Sequence, residues 1–244
     1  MTWNLASTSV TGTRHATRQQ PCQDAHAIVQ LDNLLIMAVS DGAGSAAHSQ
    51  TGALLATTTT AAFVAGALLG RRPRPKELAT VHKNAVLQTR ATIAQHAQQH
   101  GHRIGDYATT LLAVVVTNRY IATLQLGDGG IVTCDTRGRL AILTRQQERE
   151  YVNEVTFVTC DHYQEELHIR VLPRRNVQAV FVFTDGVESL CVRRASNQPH
   201  PGFFHPLLDT TPSSADLTTL LESQRVCDRT DDDKTLVIAT TTGA

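Results

Sequence analysis

The chain has no excess of either charge. Lysine plus arginine and aspartate plus glutamate each number 22 among 244 residues. A general nucleic-acid binder carries a basic excess, so that class is set aside. No apolar run approaches the roughly 20 residues that span a bilayer. Met1-Thr2-Trp3-Asn4 opens neither a basic segment nor the apolar stretch of a signal peptide. No membrane partner is expected, and the expected location is the cytoplasm. The five cysteines, Cys22, Cys134, Cys160, Cys191 and Cys227, are scattered, odd in number and without a C-x-x-C pair. They read as reduced thiols, not as a disulfide framework or a zinc site. There is no internal repeat, no low-complexity tail, and no glycine loop followed by Lys-Ser/Thr that would make a P-loop.

Apolar residues make up 41% of the chain, enough for a core, and the regular spread of strand-like runs favours one domain over residues 1–244; a monomer is expected. Strand-like runs cover Leu5–Val10, Ala25–Leu31, Leu34–Val39, Thr109–Thr117, Tyr120–Leu126, Ile131–Cys134, Leu140–Leu143, Val177–Thr184 and Thr235–Thr240. Helical spacing predicts two long helices, about 45–69 and 76–100, split by the loop Arg71-Arg72-Pro73-Arg74-Pro75, and a third at Leu217–Arg225. Residues 146–171 are mixed and polar and read as an excursion from the core sheets; residues 191–215 are weakly patterned. Helices set between blocks of antiparallel strands indicate an α+β fold, a layered sandwich and not a parallel βαβ sheet.

Five aspartates lie at strand ends. Asp41, Asp128 and Asp185 follow the runs ending at Ser40, Gly127 and Thr184, whereas Asp24 and Asp232 precede Ala25 and Leu236. If the two groups of strands run antiparallel, all five carboxylates gather at one edge. Clustered carboxylates repel one another in low dielectric, and a hard divalent cation with oxygen ligands, Mg²⁺ or Mn²⁺, relieves this. Each signal also has a plain explanation. Asp41 in Ser40-Asp41-Gly42-Ala43-Gly44 suits a helix N-cap, Asp128 in Gly127-Asp128-Gly129 a hairpin turn, and Asp231-Asp232-Asp233 a solvated acidic turn.

Gln23-Asp24-Ala25, Ser40-Asp41-Gly42-Ala43-Gly44, Ala108-Thr109-Thr110-Leu111-Leu112, Leu126-Gly127-Asp128-Gly129, Phe183-Thr184-Asp185-Gly186 and Asp232-Asp233-Lys234-Thr235 follow one another along the chain. Their order resembles that of the motifs of the metal-dependent protein phosphatase family, also called PP2C, of bacterial type. The resemblance implies a four-layer α-β-β-α sandwich of two mainly antiparallel sheets flanked by helices, with a two-metal site at one end. It implies a serine/threonine phosphatase that uses metal-activated water. Asp41, Asp185 and Asp232 would be the catalytic carboxylates holding one Mn²⁺ or Mg²⁺, and Asp41, the Gly42 carbonyl and Asp24 a second. Asp128 with Asp185 would match a third, weaker site. Tyr151-Val152-Asn153-Glu154 falls where the family carries its flap.

Departures from the pattern bear on the phosphate. Gln23 stands where many members have Glu, and Gln19 where the phosphate-binding Arg lies. Arg18 is one residue away, with Arg14 and His15 close by. Arg18 is therefore the expected phosphate ligand, with His15 a candidate acid on the leaving oxygen. Cys22 lacks the Cys-x5-Arg loop of thiol phosphatases. His96, His100 and His102 cluster near a helix end and read best as an exposed polar face. Expected partners are a phosphorylated protein and, from the likeness of Cys22-Gln23-Asp24-Ala25 to bacterial members, a Ser/Thr kinase and a von Willebrand factor A protein. The rival readings are a catalytically weak phosphatase-fold regulator or scaffold, and a metal-binding module without hydrolase activity.

Overall fold

The computed structural model describes residues 2–145, 155–193 and 196–241. The flap motif at 151–154 lies outside them. One five-stranded sheet runs in the order β1 (Trp3–Val10), β12 (Lys234–Thr241), β9 (Val177–Phe183), β6 (Gly130–Asp135), β7 (Leu140–Ile142). The other runs β2 (Ala25–Leu31), β3 (Leu34–Ser40), β4 (Leu111–Thr117), β5 (Tyr120–Leu126), β8 (His168–Pro173). Neighbouring strands in both are antiparallel, as are β10 (Val192–Arg193) and β11 (Gln198–Pro199) of a short separate ribbon.

Side chains alternate faces along a strand, and here both faces are covered, so the central strands are apolar throughout. Leu35, Met37 and Val39 of β3 meet Val180 and Val182 of β9 and Val237 of β12 between the sheets. The intervening Ile36 and Ala38 face outward toward α2 (Ser49–Leu68) and α3 (Pro75–Gln99). On the far side Phe181, Phe183, Leu236 and Ile238 pack with Val187 of α4 (Asp185–Cys191), Phe204 of α5 (Pro201–Thr210) and Leu217 and Leu221 of α6 (Ser214–Glu222). Three apolar layers thus bind four structural layers, α-β-β-α.

Some boundaries differ from the sequence expectation. The polar segment 146–171 does not stay clear of the core in its described part. Its last residues form β8, paired with β5 from Gln125↔His168 to Tyr120↔Pro173. Before that, buried Val158 and Tyr163 dock on the α3 side, where the Arg90 guanidinium lies 4.3 Å from the Tyr163 ring and bonds the Val158 and Cys160 carbonyls. The weakly patterned 191–215 contains α5, whose Pro201 sits in the first turn, where no N–H partner is needed. α2 is long and apolar enough to cross a membrane by length and composition. In this fold it is the layer over β2 and β3, with Ala53, Ala56, Ala61 and Val64 buried.

Register places the aspartates. Ala25 pairs with Ser40, Leu111 with Leu126, and Leu236 with Phe183. The exits of β3, β5 and β9 and the entries of β2 and β12 therefore share one end of the sandwich.

Candidate active site

Asp41, Asp128 and Asp185 present carboxylate oxygens that all lie within 4.8 Å of one another. Asp41 is braced by the next strand. Its N–H donates to Thr110 Oγ1 at 2.9 Å, and its carbonyl accepts from Thr109 Oγ1 at 2.8 Å and Thr110 N at 2.9 Å. Gly42 packs so tightly that a Cβ there would come 2.8 Å from the Gln23 and Ser49 carbonyl oxygens. Asp128 is not in a hairpin: β5 and β6 belong to different sheets, and Gly127-Asp128-Gly129 is the crossover. The two glycines have φ of 95° and 100°, which other residues rarely adopt. Asp185 opens α4 immediately after β9.

Asp24 is buried beside them. Its Oδ2 accepts from Thr184 Oγ1 at 2.7 Å, and Oδ1 has no hydrogen-bond partner among the described residues. Burial pushes its pKa up to about 7, against the hydrogen bonds from Thr184 and Thr235 that lower it. Asp41 is raised well above the usual carboxylate range, by burial first and then by the charges of Asp24, Asp185 and Asp128. Asp185 is raised likewise, by burial and then by Asp128 and Asp232.

Asp232 lies at the rim, half-buried, with Arg14 Nη2 at 2.8 Å from Oδ1. Its neighbour Asp233 is buried and ties down the loop before β2. It accepts from Gly12 N at 2.7 Å and Gln23 N at 2.6 Å, and its Oδ2 lies 2.9 Å from His15 Nδ1. Arg14 and His15 belong to α1 (Thr13–Thr17), a single turn anchored by Arg14 N to the Asp231 carbonyl at 3.0 Å. Arg18 follows it as an exposed residue at the C-cap. The structure therefore brings Asp24, Asp41, Asp128, Asp185 and Asp232 to one end, with Arg14 at the edge and His15 behind Asp233. Arg18 faces solvent.

A family model, protein phosphatase 2C, matches residues 11–222. The chain belongs to the protein phosphatase 2C family. It is a protein phosphatase. Serine/threonine-protein phosphatase 3 of Escherichia coli (strain K12) is 31% identical over 253 residues, covering 98% of both chains. Among solved structures, the serine/threonine phosphatase Stp1 from Staphylococcus aureus shares the fold at 13% identity and TM-score 0.69, over 100% of this chain and 96% of that one. The catalytic domain of the phosphatase PstP, determined with two manganese ions, shares it at 17% identity and TM-score 0.62, over 98% and 97%.

The residues of this phosphatase fit hard cations. The donor set is oxygen only, Asp41, Asp128 and Asp185 are partly buried around buried Asp24, and among the described residues Asp24 Oδ1 is a buried acceptor without a donor. Several supports escaped sequence reasoning. Thr184 bridges the sheets by donating to Asp24 while accepting from Thr235 N at 3.0 Å. Fully buried Lys234 donates to the Asp232 carbonyl at 3.2 Å. Gln125 Nε2 holds the Gly127 carbonyl at 3.2 Å behind Asp128. Their signal is a polar residue beside a motif aspartate in an otherwise apolar strand.

Proposed function

We propose that this chain is a metal-dependent phosphatase that hydrolyses phosphoserine and phosphothreonine in proteins. The observation that carries this is the trio Asp41, Asp128 and Asp185 with buried Asp24 beside it. Asp41, Asp185 and Asp232 would hold one ion; Asp41, the Gly42 carbonyl and Asp24 a second; Asp128 with Asp185 a third, weaker one. Bound Mn²⁺ or Mg²⁺ supplies a water of lowered pKa and neutralises phosphoryl oxygens.

The protein's own groups do the rest. Arg14 pairs with a site carboxylate, and its guanidinium fork, 2.8 Å from Asp232 and 40% exposed, suits two phosphate oxygens. This shifts the phosphate ligand from Arg18, favoured by sequence position, to Arg14, favoured by contact. Asp233 accepts from two backbone N–H groups and so acts as an acceptor toward His15 as well. Nδ1–H of His15 would stay on Asp233, and in the imidazolium form the second proton, on Nε2, would be the one given to the leaving serine or threonine oxygen. Cys22 takes no part: burial, and next the Asp24 charge, push its thiol far up, so it stays protonated and a poor nucleophile.

The test is hydrolysis of p-nitrophenyl phosphate and of a phosphothreonine peptide, with Mn²⁺ and with chelator. Turnover of both that needs the metal supports the proposal. No turnover of either under any metal favours a phosphatase-fold regulator.

A further inference from the structure

Away from the carboxylates, four imidazoles gather around one tyrosine. His96 and His100 stand one turn apart near the end of α3, with ring centroids 4.2 Å apart. Those two alone fit an exposed helix face. Two more come from other segments. His48, the residue before α2, stacks on His102 at 4.1 Å, and His102 lies 6.0 Å from His100. The rings of His48 and His96 also lie 5.2 and 5.3 Å from buried Tyr107. Three chain segments thus deliver four like side chains to one half-exposed spot, although as cations they would repel one another.

Hydrogen bonds prepare these rings as ligands. His100 Nδ1 lies 2.8 Å from the His96 carbonyl, which can only accept. Nδ1 therefore carries the proton, and Nε2 keeps its lone pair outward. A metal-ligating histidine is ordinarily oriented in this way, by donating its other N–H to a carbonyl. His102 Nδ1 lies 2.8 Å from Tyr107 Oη, which fixes that ring too. Partial burial, followed by the proximity of His100, His102 and His48, lowers the pKa of His96 and favours its neutral, ligating form. Asp106 is committed to the turn it caps, accepting from Arg103 N at 3.0 Å.

We propose that His48, His96, His100 and His102 form a second metal site, which takes one borderline divalent cation of the Zn²⁺, Ni²⁺ or Cu²⁺ type. Imidazole donors suit these ions, whereas Mg²⁺ and Mn²⁺ prefer the oxygens of the carboxylate site. The rings are stacked and their nitrogens do not converge as they stand; His100 and His102 keep the Nδ1 bonds that orient them, and the rings of His48 and His96 turn on binding to complete the set. Partly exposed side chains change rotamer in picoseconds to nanoseconds and permit this.

The test titrates Zn²⁺ calorimetrically into the full chain with excess Mg²⁺ filling the carboxylates. One Zn²⁺ per chain is expected, with affinity weakened by more than about 10-fold in His96→Gln/His100→Gln and in His48→Gln/His102→Gln, and retained in Asp41→Asn. Zinc binding unchanged in both histidine variants, or lost only in Asp41→Asn, overturns the proposal. Should a variant fail to fold, long-range ¹H–¹⁵N imidazole spectra of the wild type decide. Zinc-induced ¹⁵N shifts at these four residues support the site, and their absence overturns it.

Discussion

The carboxylate end and the histidine cluster are both crowds of one kind of side chain, yet they are built differently. The carboxylates sit on strand ends and in crossovers, where register fixes each to its neighbour and polar residues such as Thr110 and Thr184 hold them. Asp24 is buried and Asp41, Asp128 and Asp185 are partly buried around it, and this desolvation raises Asp24, Asp41 and Asp185. The imidazoles sit on helix ends and a loop, half-exposed, and touch mainly by stacking. An oxygen-only site held by strand register and by hydrogen bonds from Thr110 and Thr184 can preorganise a reaction. A solvated nitrogen site can bind, but it offers no dry cavity for phosphoryl chemistry.

The comparison breaks if the carboxylates are dispensable. Asp41→Ala and Asp185→Ala should each lower kcat for a phosphothreonine peptide by about 1,000-fold or more. Metal-free melting temperatures should not fall, because removing one charge from a repelling set relieves strain. Wild-type kcat in either variant would contradict the assignment.

Burial predicts a pH dependence at the carboxylate end opposite in sign to that of His96, whose lowered pKa costs stability as pH falls. Asp24 titrates at about 7 when folded, against 3.8 ordinarily. The folded state binds this proton more tightly, so the associated stability is full below about 4 and is lost as pH rises through 7, a span worth about 4 kcal/mol at most. Asp41 and Asp185 shift in the same direction. Urea unfolding of metal-free protein at pH 5 and pH 8 should therefore show a steeper loss in the wild type than in Asp24→Asn, and Mn²⁺ should flatten it. Equal slopes would show that Asp24 is not desolvated.

At the rim the effects are smaller. Arg14→Ala should cut kcat/KM for the peptide by about 10- to 100-fold, or about 1.5–3 kcal/mol, while sparing metal affinity. An unchanged Arg14→Ala beside an impaired Arg18→Ala would return the phosphate to Arg18. Smaller still, Asp128→Ala should raise the Mn²⁺ concentration needed for half-maximal rate by about 10-fold or less and leave tight binding of two ions, seen calorimetrically.

Much of this was legible in the sequence, and the gaps have physical causes. The central strands were plain because both faces are buried, as in Val180-Phe181-Val182-Phe183, where every residue is apolar. The aspartates were plain because each stands where such a run stops. α5 was obscured by Pro201 and Pro206, normally breakers; burial of Phe204 and Leu207 outweighs the lost N–H. The contact of Arg14 with Asp232 was not legible because chain distance is a poor guide across a helical turn, and α1 turns Arg14 toward Asp232. His48 could not be joined to His96 from sequence, since only the packing of α2 on α3 brings them to one place.

The most direct measurement is the rate of phosphothreonine-peptide hydrolysis against Mn²⁺ concentration for the wild type, Asp41→Asn and His48→Gln/His102→Gln. The wild type and the histidine variant should trace the same metal-dependent curve, with Asp41→Asn flat near zero. Undiminished wild-type turnover in EDTA, or an active Asp41→Asn beside an inactive histidine variant, would contradict the account.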